Sequence, residues 1–393
     1  MYRIAIDVRG LEQSLRNSPA GGLGGPGRYA FALLRALLSR DDFSWLLLTD
    51  RGPIPGRLAE MVARRQQAAF VCIGLPQPLT RLRYTRFAFR VDTLEGPLID
   101  HGLRASKASV VHTPAGPWTG HFRPAVGTLH DTGPLAPAGL GSRKQKEQWA
   151  RYLKHYQRHE AVICVSRSTA GLAQAQLGID PGRIIICPPA LDDTFLWPPS
   201  NGRDHQRSRQ PYFLHVGNLG PRKNPKGLLH AFAALAGRCA NAKLVCVGPY
   251  QTLPSAATYV RRLADRLSIS RKVELLDDCD DAELLRLYRG AVALVFPSFW
   301  EGFGLPVAEA LASGTPCIAS NRGGLPEAGG SLALYVDPCD HQAIADAMLR
   351  TMVDEDHRAR VRREGPRWAQ QFESSRVIEP LLGVYEDVAR SRR

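Results

Sequence analysis

The stretch Pro297-Ser298-Phe299-Trp300-Glu301-Gly302-Phe303-Gly304-Leu305-Pro306-Val307-Ala308-Glu309 decides how the chain is read. It follows the apolar run 291–296, which has the length and composition of a strand covered on both faces. Gly302 and Gly304 permit a tight turn and close backbone approach, and Pro306 suits the first turn of a helix. A strand, a glycine turn and a helix start together make an anion site, because free N–H groups and the helix dipole aim at one place. Glu301 stands on the loop and Glu309 lies about one turn into the helix. Two carboxylates so placed can hold separate sets of hydroxyls on one ligand. The alternative is a Glu that caps the helix and a solvated Glu on its side.

Outward from this stretch, short apolar runs alternate with helical patterns. Strands are expected at 2–8, 45–49, 69–73, 109–112, 125–129, 161–165, 183–187, 212–216, 243–247, 273–276, 291–296, 316–319 and 332–336. Helices are expected between them, among others at 28–39, 145–158, 167–177, 226–237, 256–268, 281–289 and 341–351. Repeated strand–helix alternation means an α/β chain with parallel sheets. Pro188-Pro189, Pro198-Pro199 and the polar stretch 200–210 break the pattern. The expected organisation is a first doubly wound domain over 1–195, a linker over 196–211, a second domain over 212–372 and an amphipathic helix within 373–393. No internal repeat is found.

Three further segments carry candidate chemistry. Val216-Gly217-Asn218-Leu219-Gly220-Pro221-Arg222-Lys223-Asn224 follows a strand and opens a helix. Arg222 and Lys223 then stand at the carboxyl end of a strand, where open α/β sheets bind ligands, and suit a diphosphate; a solvated basic turn is the alternative. Gly21-Gly22-Leu23-Gly24-Gly25-Pro26-Gly27-Arg28-Tyr29 follows the first strand and reads as a glycine loop over a ligand cleft rather than a nicotinamide site. His130-Asp131 ends the strand 125–129, where a His can meet a substrate hydroxyl or be structural.

Three other groupings have plain readings. Asp278-Cys279-Asp280 has the form of an acidic metal motif, but Asp280 reads as the N-cap of helix 281–289. His155 and His159 are four apart with no third zinc ligand evident. Arg81, Arg83, Arg86 and Arg90 interleave with Tyr84, Phe87 and Phe89, as a solvated basic helix does, or a surface that touches lipid phosphate or nucleic acid.

Composition sets the frame. With 393 residues, 44% hydrophobic and 22% charged, the chain is an ordinary globular protein of about two domains, not a disordered, collagenous or coiled-coil one. Its net charge is +14. Residues 1–200 hold 25 basic and 15 acidic side chains, so +10 of that sits in the first half and +4 in the rest. An excess of this kind favours an anionic partner. The eight cysteines form no CxxC pair and mostly lie in apolar runs, which reads as reduced core cysteines in a reducing compartment. Asp7 interrupts the N-terminal apolar run, so a secretory leader is not expected, and no run reaches the length of a membrane span. A cytoplasmic protein is expected, meeting any membrane from its surface.

Together these residues resemble the retaining glycosyltransferases of family 4, which have the GT-B fold, and among them bacterial mannosyltransferases of polysaccharide biosynthesis. EGFGLPVAE at 301–309 resembles the family's E-x7-E motif, and GNLGPRKN at 217–224 is similar to its phosphate loop. GPGRY at 25–29 resembles its N-terminal glycine loop, and His130-Asp131 the HD at the end of an N-domain strand. Val165-Ser166 with Arg183-Ile184 matches the run before the linker. The resemblance covers nearly the whole chain. It implies two Rossmann-like domains facing a central cleft, the first for the acceptor and the second for a nucleotide diphosphate sugar.

Residue by residue, the resemblance implies that Glu309 binds the ribose and Glu301 the donor-sugar hydroxyls, with the backbone amides of Phe303, Gly304 and Leu305. Arg222 and Lys223 would hold the diphosphate, with Gly25, Gly27, Gly217 and Asn218 lining the phosphate region. His130, beside Asp131, would face the donor sugar near the reacting carbon, and Leu276 and Asp277 would border the base. Many members carry Arg where this chain has Asn218, so the cationic work rests on Arg222 and Lys223. The resemblance also implies retention without a protein nucleophile; lysine, arginine and a helix N-terminus can stabilise the diphosphate without a metal, and no cofactor is expected. Mannose from GDP-mannose, passed to a saccharide or lipid-linked oligosaccharide, is the expected transfer, with an anionic membrane surface as a further partner and no nucleic acid. A GT-B sugar-nucleotide epimerase and a non-catalytic basic membrane- or polyanion-binding protein are the alternatives.

Overall fold

The computed structural model describes residues 1–17, 25–51, 53–63, 65, 67–76, 97, 99–137, 139–196, 210–251, 253–277 and 279–391. The apolar runs become strands β1 (Arg3–Asp7), β2 (Ser44–Arg51), β3 (Ala68–Pro76), β4 (Val110–Thr113), β5 (Ala125–Leu129), β6 (Ala161–Cys164) and β7 (Ile184–Ile186) in the first half. The second half holds β8 (Tyr212–Val216), β9 (Lys243–Val247), β10 (Val273–Leu276), β11 (Ala293–Phe296), β12 (Cys317–Ser320) and β13 (Leu334–Val336). The first sheet runs β3-β2-β1-β4-β5-β6-β7 and the second β10-β9-β8-β11-β12-β13. Neighbours pair in parallel, as where Leu294 lies opposite Leu214 on one side and Cys317 on the other. Every residue of β5, β6, β11 and β12 is buried, which is why these strands read as unbroken apolar runs rather than alternating ones.

Strand order reverses between β1 and β4 in the first sheet and between β8 and β11 in the second. Such reversals open a crevice at the carboxyl ends of the strands. The loops after β8 and β11 carry the two richest motifs, so the fold brings them to one crevice.

Several boundaries differ from the sequence expectation. The helix expected from residue 28 spans Gly25–Leu37. Gly25 and Gly27 therefore form its first turn instead of a loop over the cleft; Pro26 fits there because that N–H has no helical partner to lose. Gly21–Gly24 lie outside the described residues. The helix expected at 145–158 spans Arg143–Leu153 and tightens into a 3-10 turn over Lys154–Arg158. It starts early because Ser142 and Gln145 close a capping box. Asp193–Leu196, which spans the expected end of the first domain and start of the linker, is a short helix whose Phe195 packs 6.0 Å from Tyr288 of the second. The rest of the linker, 197–209, and the basic segment at Arg81–Arg90 lie outside the described residues.

The last helix, Ser374–Arg390, returns to the first sheet. Its Tyr385 hydroxyl sits 2.6 Å from His112 Nδ1 on β4, and Val377 O accepts from Cys187 Sγ at 3.2 Å. Burial pushes His112 down to about 3, so it stays neutral in this contact. Cys164, Cys187, Cys246 and Cys317 are buried as expected of core thiols, whereas Cys72 and Cys339 are exposed. Among the described residues, no helix is long and apolar enough to cross a membrane.

Candidate active site

The loop after β8 closes as a 3-10 turn, Pro221–Lys223, and Asn224 then starts the helix Pro225–Arg238. Asn224 takes φ +57° and caps that helix by accepting from Gly227 N at 3.0 Å. Gly217, at φ +132°, lets the chain turn out of β8, and a Cβ there would touch Lys223. The turn presents two cations to the loop after β11. Lys223 Nζ lies 2.7 Å from Glu301 Oε1, and Arg222 Nη1 lies 2.8 Å from Glu301 Oε2 and 2.9 Å from the Trp300 carbonyl. Lys223 Nζ also stands 4.4 Å over the Phe296 ring.

Burial disfavours charge on all three groups, and the outcome depends on what faces each. Glu301 would be pushed up by burial, but Lys223 and Arg222 hold its carboxyl below the usual range. Burial lowers Lys223 despite Glu301, while Glu301 and Asp131 keep Arg222 raised against burial. Behind them His215, pushed by burial down to about 4, donates from Nδ1 to Val295 O. Its Nε2 is buried with no hydrogen-bond partner among the described residues.

The first domain supplies the opposite wall. Asp131 Oδ2 is 3.7 Å from Arg222 Nη1. His130 is kept neutral by burial, donates from Nε2 to Pro114 O at 2.8 Å and meets the Tyr29 ring edge-on at 4.7 Å. The wall closes on Gly302: Ser166 Oγ donates to its carbonyl, and any Cβ there would collide with the His130 carbonyl. Glu327 of the second domain accepts from Arg167 N and Ser168 N at 2.8 and 3.0 Å, capping a first-domain helix across the cleft. His130, Asp131, Arg222, Lys223 and Glu301 are thus brought together.

The helix Leu305–Ala312 begins at Gly304, φ +113°, without a side-chain cap. Phe303 and Gly304 are buried there and Leu305 is half-buried. Glu309, on this helix, is only 2% exposed. Arg28 reaches from the first domain to place Nη2 2.8 Å from Glu309 Oε1 and Nη1 3.0 Å from Asp281. Tyr288 donates to Glu309 Oε2 at 2.9 Å. Burial raises the Glu309 carboxyl in spite of Arg28 and Tyr288. A cavity of about 30 Å³, room for about one water, adjoins this cluster beside Arg57 and Asp192.

Gly217, Asn218, Leu276 and Asp277 share the carboxyl edge of the second sheet. Gly217 N donates to Val247 O, Gly248 N to Leu276 O, and Asp277 accepts from Gln251 N. A roomier cavity, about 270 Å³, opens at the opposite, amino edge beside Pro211, Val292 and Pro316, away from these residues. Asp280 caps its helix by accepting from Glu283 N. Both ring nitrogens of His159 serve the fold: Nε2 accepts from Trp118 N and Nδ1 donates to His155 O. Sequence reading assigned no part to Arg28, Asp281, Tyr288 or Glu327. Each acts across a tertiary contact that spacing does not reveal; for Arg28, the only local signal was its place in the glycine-rich segment.

Comparison with known proteins agrees with this geometry. Residues 23–195 match the model of Glycosyltransferase Family 4, and residues 201–368 that of Glycosyl transferases group 1. The chain belongs to the family 4 glycosyltransferases, with the GT-B fold. It is 36% identical over 221 residues to D-inositol 3-phosphate glycosyltransferase of Corynebacterium glutamicum, covering 53% of this chain and 52% of that one. It is 31% identical over 182 residues to O-antigen chain mannosyltransferase B of Escherichia coli, covering 46% and 47%. These matches span about half the length of either relative. Sucrose-phosphate synthase from Thermosynechococcus elongatus superposes with a TM-score of 0.76 over all of both chains at 20% identity, which speaks to fold alone.

Proposed function

We propose that the protein is a retaining glycosyltransferase that moves a hexose from a nucleotide diphosphate sugar to a saccharide or lipid-linked acceptor. The observation that carries this reading is the meeting of Arg222, Lys223 and Glu301 at the β8/β11 crevice, facing His130 and Asp131. Glycosyl transfer must stabilise a leaving diphosphate, and two preorganised cations supply that charge. A diphosphate entering the crevice takes over the two cations that Glu301 pairs with. Glu301 is then released to accept from donor-sugar hydroxyls.

The bond from the anomeric carbon to the phosphate oxygen breaks, and a bond to the acceptor oxygen forms on the same face. The acceptor's proton passes to the departing phosphate oxygen, so no protein nucleophile is required. Neutral His130, with Nε2 committed to Pro114, offers only its Nδ1 lone pair to a donor hydroxyl. Glu309 is the ribose partner. At 2% exposure it meets a ribose only once the domains part at Arg28, which makes nucleotide entry a domain-opening step. GDP-mannose is the favoured donor: the family resemblance points to it, and mannose is the sugar in the name of the E. coli relative.

A thermal-shift panel of nucleoside diphosphates tests the reading, because a ligand of the folded state raises the melting temperature by mass action. GDP should give the largest rise. No rise with any nucleoside diphosphate contradicts the proposal.

A further inference from the structure

The helix Arg143–Leu153 carries Trp149 and Tyr152 at 37% and 39% exposure. Their rings meet edge to face, 5.9 Å apart at 89°. They do not protrude. A Cβ at Gly133 would press on the Trp149 ring at 3.1 Å, and one at Gly116 would collide with the Tyr152 hydroxyl. Both glycines have positive φ, +55° and +157°, so backbone need and ring contact select the same residue.

Those glycines bracket the His130–Asp131 corner. Gly133 N donates to Asp131 Oδ1 at 2.7 Å. Pro114, two residues before Gly116, accepts from His130 Nε2. The aromatic pair is therefore a shelf continuous with the first-domain wall of the reaction centre. Lys146, three residues before Trp149, and Gln148, four before Tyr152, share its edge of the helix. An apolar ring face bordered by an ammonium and an amide matches a pyranose, which presents C–H groups on its face and hydroxyls around its rim.

We propose that Trp149 and Tyr152 form the acceptor subsite, stacking the acceptor's sugar ring beside His130 and Asp131. This rests on the transferase reading above and adds where the acceptor sits and what holds it. A membrane anchor would need rings standing clear of the fold; these lie on backbone next to the chemistry.

The test uses full-length protein labelled with ¹⁵N-tryptophan, its Trp149 indole peak assigned by Trp149→Phe. Methyl α-D-manno-, gluco- and galactopyranoside are titrated in the presence of GDP, with glycerol and anionic phospholipid vesicles as parallel arms. The Trp149 peak should shift saturably with at least one pyranoside and not with glycerol. No shift with any pyranoside, an equal shift with glycerol, or a shift with vesicles alone overturns the proposal. In kinetics, Trp149→Ala and Tyr152→Ala should leave donor hydrolysis within about twofold while raising the pyranoside KM roughly five- to tenfold, the scale of one lost aromatic stack. An unchanged KM, or hydrolysis lost in step with transfer, also overturns it. Absence of nucleotide-sugar hydrolysis by the wild type would instead fail the transferase reading, whereas the indole shift is read independently of turnover.

Discussion

Glu301 and Glu309 stand eight positions apart in one motif, both nearly sealed from water, yet they live in opposite surroundings. Glu301 is held by two cations of its own domain, one on each carboxylate oxygen. Glu309 faces one arginine from the other domain and one neutral tyrosine hydroxyl. Against the same burial, two cations keep the first carboxyl low, and one cation leaves the second raised. The first carboxylate belongs to a centre whose two cations come from the second domain, with Asp131 of the first domain 3.7 Å from one of them. The second is half of a clasp that exists only while the domains are closed. The motif thus joins the charge centre to the closure of the cleft through a single turn of helix.

The largest effect expected is at the charge centre. Lys223→Ala should slow transfer by roughly two to three decades, as when one preorganised charge is removed from a transition-state site. Rates within a few-fold of wild type would make Lys223 a bystander. At the clasp, Glu309→Ala should weaken nucleoside diphosphate binding by roughly tenfold, about 1.4 kcal/mol, read by calorimetry. Unchanged affinity would separate Glu309 from the nucleotide.

The clasp itself is tested by a mutant cycle. Arg28→Ala and Glu309→Ala should each cost about 1–3 kcal/mol of stability, since each leaves a buried partner short of a contact. The double mutant should cost less than their sum. Strict additivity in urea unfolding would mean that the two side chains do not support one another.

The contrast also fixes a sign. The Glu301 carboxyl is lowered from 4.5, so its contribution is present above that pH and lost as pH falls through the folded-state value. The Glu309 carboxyl is raised from 4.5, so its contribution is present below that pH and lost as pH rises. Relative to wild type, Glu301→Gln should therefore lose stability as pH rises toward 4.5 and stay level above it, while Glu309→Gln recovers some as pH rises past 4.5. Parallel pH profiles would erase the distinction. The smallest effect concerns metal: with Arg222 and Lys223 proposed to carry the diphosphate charge, transfer should persist in EDTA. Loss in chelator, restored by magnesium or manganese, would assign part of that work to an ion.

What could be read in advance follows from periodicity. Parallel strands buried on both faces leave continuous apolar runs, so β5, β8 and β9 coincide with their expected spans; the edge strand β10 coincides as well, although none of its residues is fully buried. The helix Arg167–Leu177 also coincides, bounded by the Ser166 cap and by Gly178 in the left-handed conformation. The Arg222, Lys223 and Glu301 grouping was legible because each motif followed a strand, and strand ends converge at a reversal of order. The Arg28 contact was not, because nothing local distinguishes an arginine that crosses to another domain from a solvated one. Trp149 was passed over for a related reason. Its significance lies in the backbone of Gly133 beneath it, and only the fold brings that glycine there.

The most direct measurement is release of nucleoside diphosphate from a panel of nucleotide diphosphate hexoses, GDP-mannose foremost, by wild type and Lys223→Ala side by side. The wild type should turn over with one nucleotide preferred, and the variant should lose roughly two decades or more of that rate. Turnover of none of the donors, or equal turnover by both proteins, would contradict the assignment of the β8/β11 crevice as the place where the glycosyl–phosphate bond is broken.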